Sequence, residues 1–300
     1  YRCLILNMIN KAYSKFDISI VIPTKDRPSQ IDSLLSSLAL QSDSSFVDEI
    51  IVVASGEKID DVIEKYNGEL PLTYIHSAEP GQIRQRNLGL SNLRCQSSFI
   101  GLFDDDLVLA PRALASVAKF IAEKRSEDIS HIGIGLNIVN AYGYYDLPRK
   151  PIKRAFLQIG PSPGTISKAG VNTTISNVGQ TISTEWLGGG YTIWSRYIID
   201  RYPHTVTHTR YAAAEDLIYS YPIGRQFPLF ICADAQATLT EVFDVRSNTR
   251  YLNKKTTIAH LYFCRQHKDF SGCLYAILRL IYLFPKLFTL RKSEYEKFLG

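Results

Sequence analysis

Three consecutive carboxylates, Asp104-Asp105-Asp106, end the apolar run FIGLF. Like charges held so close repel one another, so a fold keeps them together where a cation or hydrogen-bond donors accept the charge. Hard oxygen ligands suit Mg²⁺ or Mn²⁺, ions that also bridge nucleotide phosphates. A solvated acidic turn capping the helix that Pro111 opens is the alternative reading. A second acidic pair, Glu215-Asp216, follows Tyr211-Ala212-Ala213-Ala214. Small side chains there let a substrate come close, and one acid could take a proton from a hydroxyl, although acid pairs also open ordinary helices.

Three further segments carry candidate binding groups. Pro23-Thr24-Lys25-Asp26-Arg27-Pro28 is a loop fixed by prolines, with Asp26 and Arg27 available to a base, a ribose or a phosphate; its plain reading is a strand-to-helix turn. Pro80 to Asn87 places Arg84 and Arg86 at a helix start, a plausible anion site or else a solvated helix face. Trp186-Leu187-Gly188-Gly189-Gly190-Tyr191 flanks three glycines with aromatic rings. A backbone can approach a ligand closely there and a ring can stack on a sugar, or the segment is a tight turn beside a core tryptophan.

Elements must position these groups, and the first half of the chain supplies them in alternation. Strand signals fall at Asp17–Ile22, Glu49–Val53, Leu72–Ile75 and Ser98–Phe103. Between them, Ile31, Leu34, Leu35 and Leu38 recur with helical spacing after a Ser29/Asp32 cap, and Ile59, Val62, Ile63 and Tyr66 do so before Gly68. Ile83–Leu93 reads as a helix, and Leu114, Val117, Ala118 and Ile121 form the face of another. This pattern predicts an α/β fold with a mostly parallel sheet, whose ligands gather beyond the carboxyl ends of the strands. Residues 141–185 lose the rhythm and read as loop and irregular strand. Trp186–Ser195 reads as a turn feeding a short element, Tyr211–Tyr221 as a helix, Phe230–Val242 as a strand and Thr256–Phe284 as mostly helix.

Taken in order, IVIPTKDRP, EIIVVASG, PGQIRQRNLG, LFDDD, WLGGGYTIWSR and AAAEDL resemble the family 2 glycosyltransferases, inverting enzymes of the GT-A fold, over about residues 17–235. The resemblance implies a nucleotide-diphosphate sugar as donor, Mn²⁺ or Mg²⁺ as cofactor, and a glycan or lipid-linked glycan as acceptor in bacterial surface-polysaccharide assembly. It would place Pro23, Thr24, Asp26 and Arg27 at the nucleobase and ribose, and Arg84, Arg86 and Asn87 near the nucleotide. Asp104 and Asp105 would lie by ribose and phosphate, with Asp106 the direct metal ligand and Asp104 beside it. Asp216 would be the general base and Glu215 would orient the acceptor, while Gly189 and Gly190 would line the sugar pocket; Trp186, the flanking ring, is a further donor-binding candidate. Where the family commonly has a base-reading Asp after the second strand, this chain has Ala54-Ser55-Gly56, with Ser55 as substitute. Where many relatives have a His one strand after the base, it reads ADAQATLTE, leaving Glu241 or Thr240 near the position, with Glu241 the candidate ligand; His260 and His267 read as surface or core residues rather than ligands.

Composition bounds the alternatives. The 300 residues are 45% hydrophobic and 21% charged, which excludes a disordered chain and a membrane bundle. Five scattered cysteines form no CxxC pair and argue against a disulfide framework or a zinc site, so a reducing, cytoplasmic setting is expected. Residues 1–16 read as an N-terminal extension without a signal peptide, 17–245 as the catalytic domain divided near 140 into donor and acceptor halves, and 246–300 as a helical extension. Residues 250–300 hold ten Lys and Arg against three Asp and Glu. With Leu274, Ile277, Leu278 and Ile281 on one helical face, this segment reads as lying on the inner face of an anionic membrane or packing on the domain. Arg279, Pro285 and Lys286 interrupt it too early for a span. The rival readings are a nucleotidyltransferase and a silent glycan-binding scaffold. Nucleic acid is not expected, because no recognisable motif for it accompanies the basic residues.

Overall fold

The computed structural model describes residues 16–41, 46–151, 154, 159–205, 214–240 and 249–281. Its first half is the expected alternation: β1 (Ile18–Lys25), α1 (Pro28–Ala39), β2 (Val47–Ser55), α2 (Asp60–Tyr66), β3 (Leu72–Ser77), α3 (Gln82–Ser91) and β4 (Phe99–Phe103). β1 pairs in parallel with β2 and β4, and β2 with β3. Side chains on successive strand residues face opposite ways. Ile18, Ile20 and Ile22 therefore join one apolar layer with α1, while Val21, Ile100 and Leu102 join a second layer on the other face. Burial on both faces is why these strands read as continuous apolar runs.

α1 begins at Pro28, not behind a Ser29/Asp32 cap: Arg27 is the N-cap and makes no capping hydrogen bond. Proline's fixed φ suits a first helical turn, and Asp32 instead bonds Lys65 and the Tyr66 hydroxyl.

The second half completes the same sheet. After β5 (Leu107–Leu109) and α4 (Ala113–Ser126) come β6 (Gly133–Ile138), a short 3₁₀ turn (Tyr144–Asp146), β7 (Ile182–Thr184), β8 (Tyr191–Ser195), α5 (Arg196–Arg201), α6 (Glu215–Gly224) and β9 (Leu229–Leu239). The nine strands run β3-β2-β1-β4-β8-β6-β9-β5, with β7 also on β9. β8 is antiparallel to both β4 and β6, whereas β9 is parallel to β6. β6 is absent from the sequence expectations because Gly133 and Gly135 dilute its strand signal. Both glycines are sterically needed: a Cβ on Gly133 would meet Trp194 and Leu229, and one on Gly135 would meet Leu187 and Ile231.

The C-terminal helix expected over Thr256–Phe284 is two pieces, α7 (Thr249–Gln266) and a helical stretch at 272–281, joined by a turn. His260 stacks on Tyr275 with ring centroids 5.2 Å apart, and Arg279 Nε donates to Thr257 Oγ1 at 3.2 Å. No helix among the described residues is long and apolar enough to cross a membrane. The expected N-terminal extension before Phe16, Glu241, residues 211–213 and the basic residues after 281 lie outside the described residues.

Candidate active site

The carboxyl ends of β1, β2 and β4 and the start of α3 meet at one rim. α3 sits close to the sheet because Gly89 is bare on that face: a Cβ there would overlap Val21 and come within 3.3 Å of Val53. Arg86, one turn earlier on the same face, is thereby carried inside the protein and is only 1% exposed. A buried guanidinium needs partners. It finds Asp104, at 2.5 Å from Nη2, and Glu215, at 3.4 Å from Nη1. Burial opposes its charge, but Asp104, Glu215 and Asp216 more than compensate and hold its pKa above the ordinary value.

Each aspartate of the triplet has a different environment. Asp104 also accepts from Gln82 Nε2 at 2.7 Å. Asp105 is buried and accepts from Thr24 Oγ1 at 2.7 Å and Arg27 Nη1 at 3.1 Å. Asp106 is buried as well, and among the described residues its own backbone N–H is the one donor to its carboxylate. Burial, with the charges of Asp104 and Asp105, pushes its pKa up to about 6.

The glycine run brings the second acidic pair to the first. Asp104 N–H donates to Gly190 O at 2.7 Å. A Cβ on Gly190 would overlap the Asp104 carboxylate, and one on Gly189 would overlap Asp216 Oδ1 and lie 3.2 Å from Arg86 Nη1. The backbone thus passes between the two acidic groups at a distance only glycine allows. α6 opens after Ala214, held in the left-handed region at φ +57°, and its first two residues are Glu215 and Asp216. Burial raises the Glu215 pKa to about 8, with Asp216 adding to the effect and Arg86 opposing it. Burial likewise raises Asp216 to about 6, against Arg86 and a Gly189 N–H. A carboxylate poised near neutrality is suited to accept a proton.

The other expected residues are placed as follows. Asp26, at φ +53°, pairs with Lys25 and accepts the Glu57 N–H at 2.8 Å, joining the β1 and β2 loops. Ser55 is fully buried and donates to Gln85 Oε1 at 3.4 Å. Asn87 donates to the His204 carbonyl at 2.9 Å, and Arg84 pairs with Glu79 at the surface. Trp186 is a core residue whose Nε1 donates to Thr173 O at 3.1 Å. Pro23 lies within β1 opposite Val53, and the pairing runs on through Thr24 and Lys25 to Ser55. Gln82 and Gln85 were not anticipated. Gln85 is buried and donates to both Thr24 O at 2.8 Å and Val53 O at 2.7 Å, tying α3 to two strand ends. Its place one residue before Arg86 in PGQIRQRN is the only local signal for it.

A metal's fit can be judged from the donors. Among the described residues no three His, Cys, Asp or Glu side chains converge as a cage. Asp104 and Asp105 already have hydrogen-bonded partners, which leaves Asp106 as the carboxylate with charge to offer. That donor set fits an ion held by one protein oxygen and completed by phosphate and water, a habit of Mg²⁺.

The β3-β2-β1-β4 parallel sheet with its acidic strand end, closed by antiparallel β8, is the architecture of the GT-A glycosyltransferases. Residues 19–159 match glycosyl transferase family 2. In three dimensions the chain is similar to S. aureus TarS residues 1–349 in complex with UDP-GlcNAc, at TM-score 0.54 and 18% identity, covering 89% of this chain and 71% of that one. Against the longer TarS chain the coverage falls to 43% of its length. GalNAc-T7 with UDP, GalNAc and Mn²⁺ aligns at TM-score 0.56 and 12% identity, over 83% of this chain and 48% of that one. No curated protein matches the chain significantly. The chain thus has the GT-A fold of these structures, and its residues 19–159 match glycosyl transferase family 2.

Proposed function

We propose that the chain moves a sugar from a nucleotide-diphosphate donor to a hydroxyl of a glycan or lipid-linked glycan, with inversion, in surface-polysaccharide assembly. One observation carries the reading: buried Arg86 bonds both Asp104 and Glu215, so the acidic strand end and the acidic helix start share one glycine-lined cleft. The solved structures similar in fold support the donor class, since they hold UDP-GlcNAc in TarS and UDP with Mn²⁺ in GalNAc-T7.

Asp216 accepts the proton of the incoming hydroxyl as its oxygen attacks the anomeric carbon, and the nucleoside diphosphate leaves from the opposite face. The C–O bond to the acceptor forms as the bond to the diphosphate breaks, which inverts the centre without a covalent enzyme intermediate. Asp106 would hold a divalent cation, and such an ion when bound offsets the charge on the departing diphosphate. Thr24 and Arg27 fix Asp105, and Gln82 and Arg86 fix Asp104, so the rim is ordered before a donor arrives. A nucleotidyltransferase would have no use for a desolvated Glu-Asp pair on the far wall of the cleft.

A panel of nucleotide sugars with Mn²⁺ or Mg²⁺ tests the assignment. Asp106→Ala should abolish metal-dependent nucleotide binding in a thermal-shift assay. Asp216→Asn should keep that binding and lower transfer by about 10²- to 10⁴-fold. Equal turnover in wild type and both variants would reject these roles.

A further inference from the structure

The Glu215-Asp216 pair borders a small, partly open cavity. Its polar walls are Glu215, Asp216, His204, Tyr219 and Thr192, and the space open to a solvent centre is about 10 Å³. Three of these side chains carry a fully buried polar atom without a partner among the described residues: His204 Nε2, Glu215 Oε2 and Tyr219 OH. Buried polar atoms in folded proteins are nearly always satisfied, so three such atoms on residues that line one cavity require an explanation.

Their surroundings are built rather than incidental. The His204 ring lies flat on Tyr219, with centroids 3.6 Å apart and planes 18° from parallel. Its backbone carbonyl is held at 2.9 Å by Asn87, the neighbour of Arg86 on α3. Tyr219 sits one helical turn after Glu215 on α6, so both side chains lean over the same stretch of helix. Trp194 closes the cavity, its ring edge-on to Tyr219 at 5.7 Å.

We propose that one resident water occupies this cavity, bonded to Glu215 Oε2, Tyr219 OH and His204 Nε2, and that His204 and Tyr219 are thereby positioning residues for the acidic pair. Interior waters commonly make about three hydrogen bonds, and about 10–15 Å³ of centre-accessible space admits one. Water suits the place because it both donates and accepts. Burial and Arg86 keep the imidazole neutral, with its pKa lowered to about 3. Burial also keeps the Tyr219 phenol protonated, so neither ring brings a charge near the base. Glu215, held through Oε1 by Arg86 and through Oε2 by the water, would then be fixed at both oxygens. The water needs no assumption about the reaction; its bearing on catalysis rests on the roles given above to Glu215 and Asp216.

Crystallography at a resolution that shows ordered solvent, combined with two substitutions, tests the proposal. In the wild type a solvent peak should lie within hydrogen-bonding distance of all three atoms. Tyr219→Phe keeps the ring stack and removes only the hydroxyl; it should lose the peak. His204→Phe should lose it too, and His204→Gln should restore it. With whichever nucleotide sugar the panel identifies, both Phe variants should lower kcat about ten- to a hundredfold while the donor KM holds, and the Gln variant should recover. A dry cavity in the wild type overturns the water. A peak that persists in Tyr219→Phe, or Phe variants with wild-type kcat, overturns the positioning role. If no nucleotide sugar is turned over, the functional reading fails while the solvent peak still decides the water.

Discussion

Arg86 is the residue on which the cleft turns, because a guanidinium cannot shed its charge at any pH a protein survives. Arg86 stays charged against Asp104 and Glu215, while burial brings the protonation of Glu215, Asp216 and Asp106 toward neutrality. For Asp216 in its proposed role as base, which requires the ionised form, the expected result is an acidic limb in the pH profile of kcat/KM near the value of about 6 that burial sets. The same burial has an opposite consequence for stability. Glu215 has a folded pKa of about 8 against an ordinary value of 4.5, so the native state holds its proton where the unfolded chain has lost it. That contribution is fully present below the unfolded pKa and is lost as pH rises through the folded one. Thermal unfolding followed between these two values should show a melting temperature that falls as pH rises, and Glu215→Gln, which has no proton to lose, should flatten the slope. An equal slope in the variant would show that the burden lies elsewhere.

At the scale of elements, the turn before β8 decides whether the two acidic groups can share a cleft. Gly190→Ala would drive a methyl into the Asp104 carboxylate and pull it from Arg86, so it should cost about 1–3 kcal/mol and most of the transfer activity. Gly179→Ala, with nothing within 4 Å of the added methyl, serves as the control and should melt close to wild type. How much of this was legible follows from the physics of each element. β1, β2 and β4 are buried on both faces, so their sequences are nearly uninterrupted Ile, Val and Phe, and the acidic end of β4 announces itself. β6 hides because neighbouring side chains occupy the volume its own Cβ atoms would take at Gly133 and Gly135. The α6 acids were visible as a pair, but Arg86 and Glu215 are 129 residues apart, and no local spacing reports such a contact. His204 and Tyr219 escaped notice for the same reason: each is an ordinary residue until the fold stacks one on the other.

For the whole molecule, an uneven surface sets the expected location. Ile258, Leu261 and Tyr262 on α7 and Ile277, Leu280 and Ile281 on the following helical stretch are all exposed. The last fifty-one residues carry ten Lys and Arg against three Asp and Glu. Under the proposed reading, this exposed apolar and basic segment would meet an anionic bilayer, where a lipid-linked acceptor would reside. Vesicles containing phosphatidylglycerol should sediment the protein and pure phosphatidylcholine vesicles should not, and Ile277→Glu combined with Leu280→Glu should release it. Binding that ignores both lipid charge and these substitutions, or self-association without lipid, would dismiss the membrane as the partner.

The order of strands has a further consequence for anyone who cuts the chain. A break in the strand-poor stretch between 139 and 181 leaves Asp104 on one fragment and Asp216 on the other. Yet β8 of the second fragment lies between β4 and β6 of the first, and β9 lies between β6 and β5. The halves interleave like the fingers of two hands, so neither can close its sheet alone. Co-expressed, the two fragments should recover the proposed transfer activity only together, and activity from either one alone would refute this.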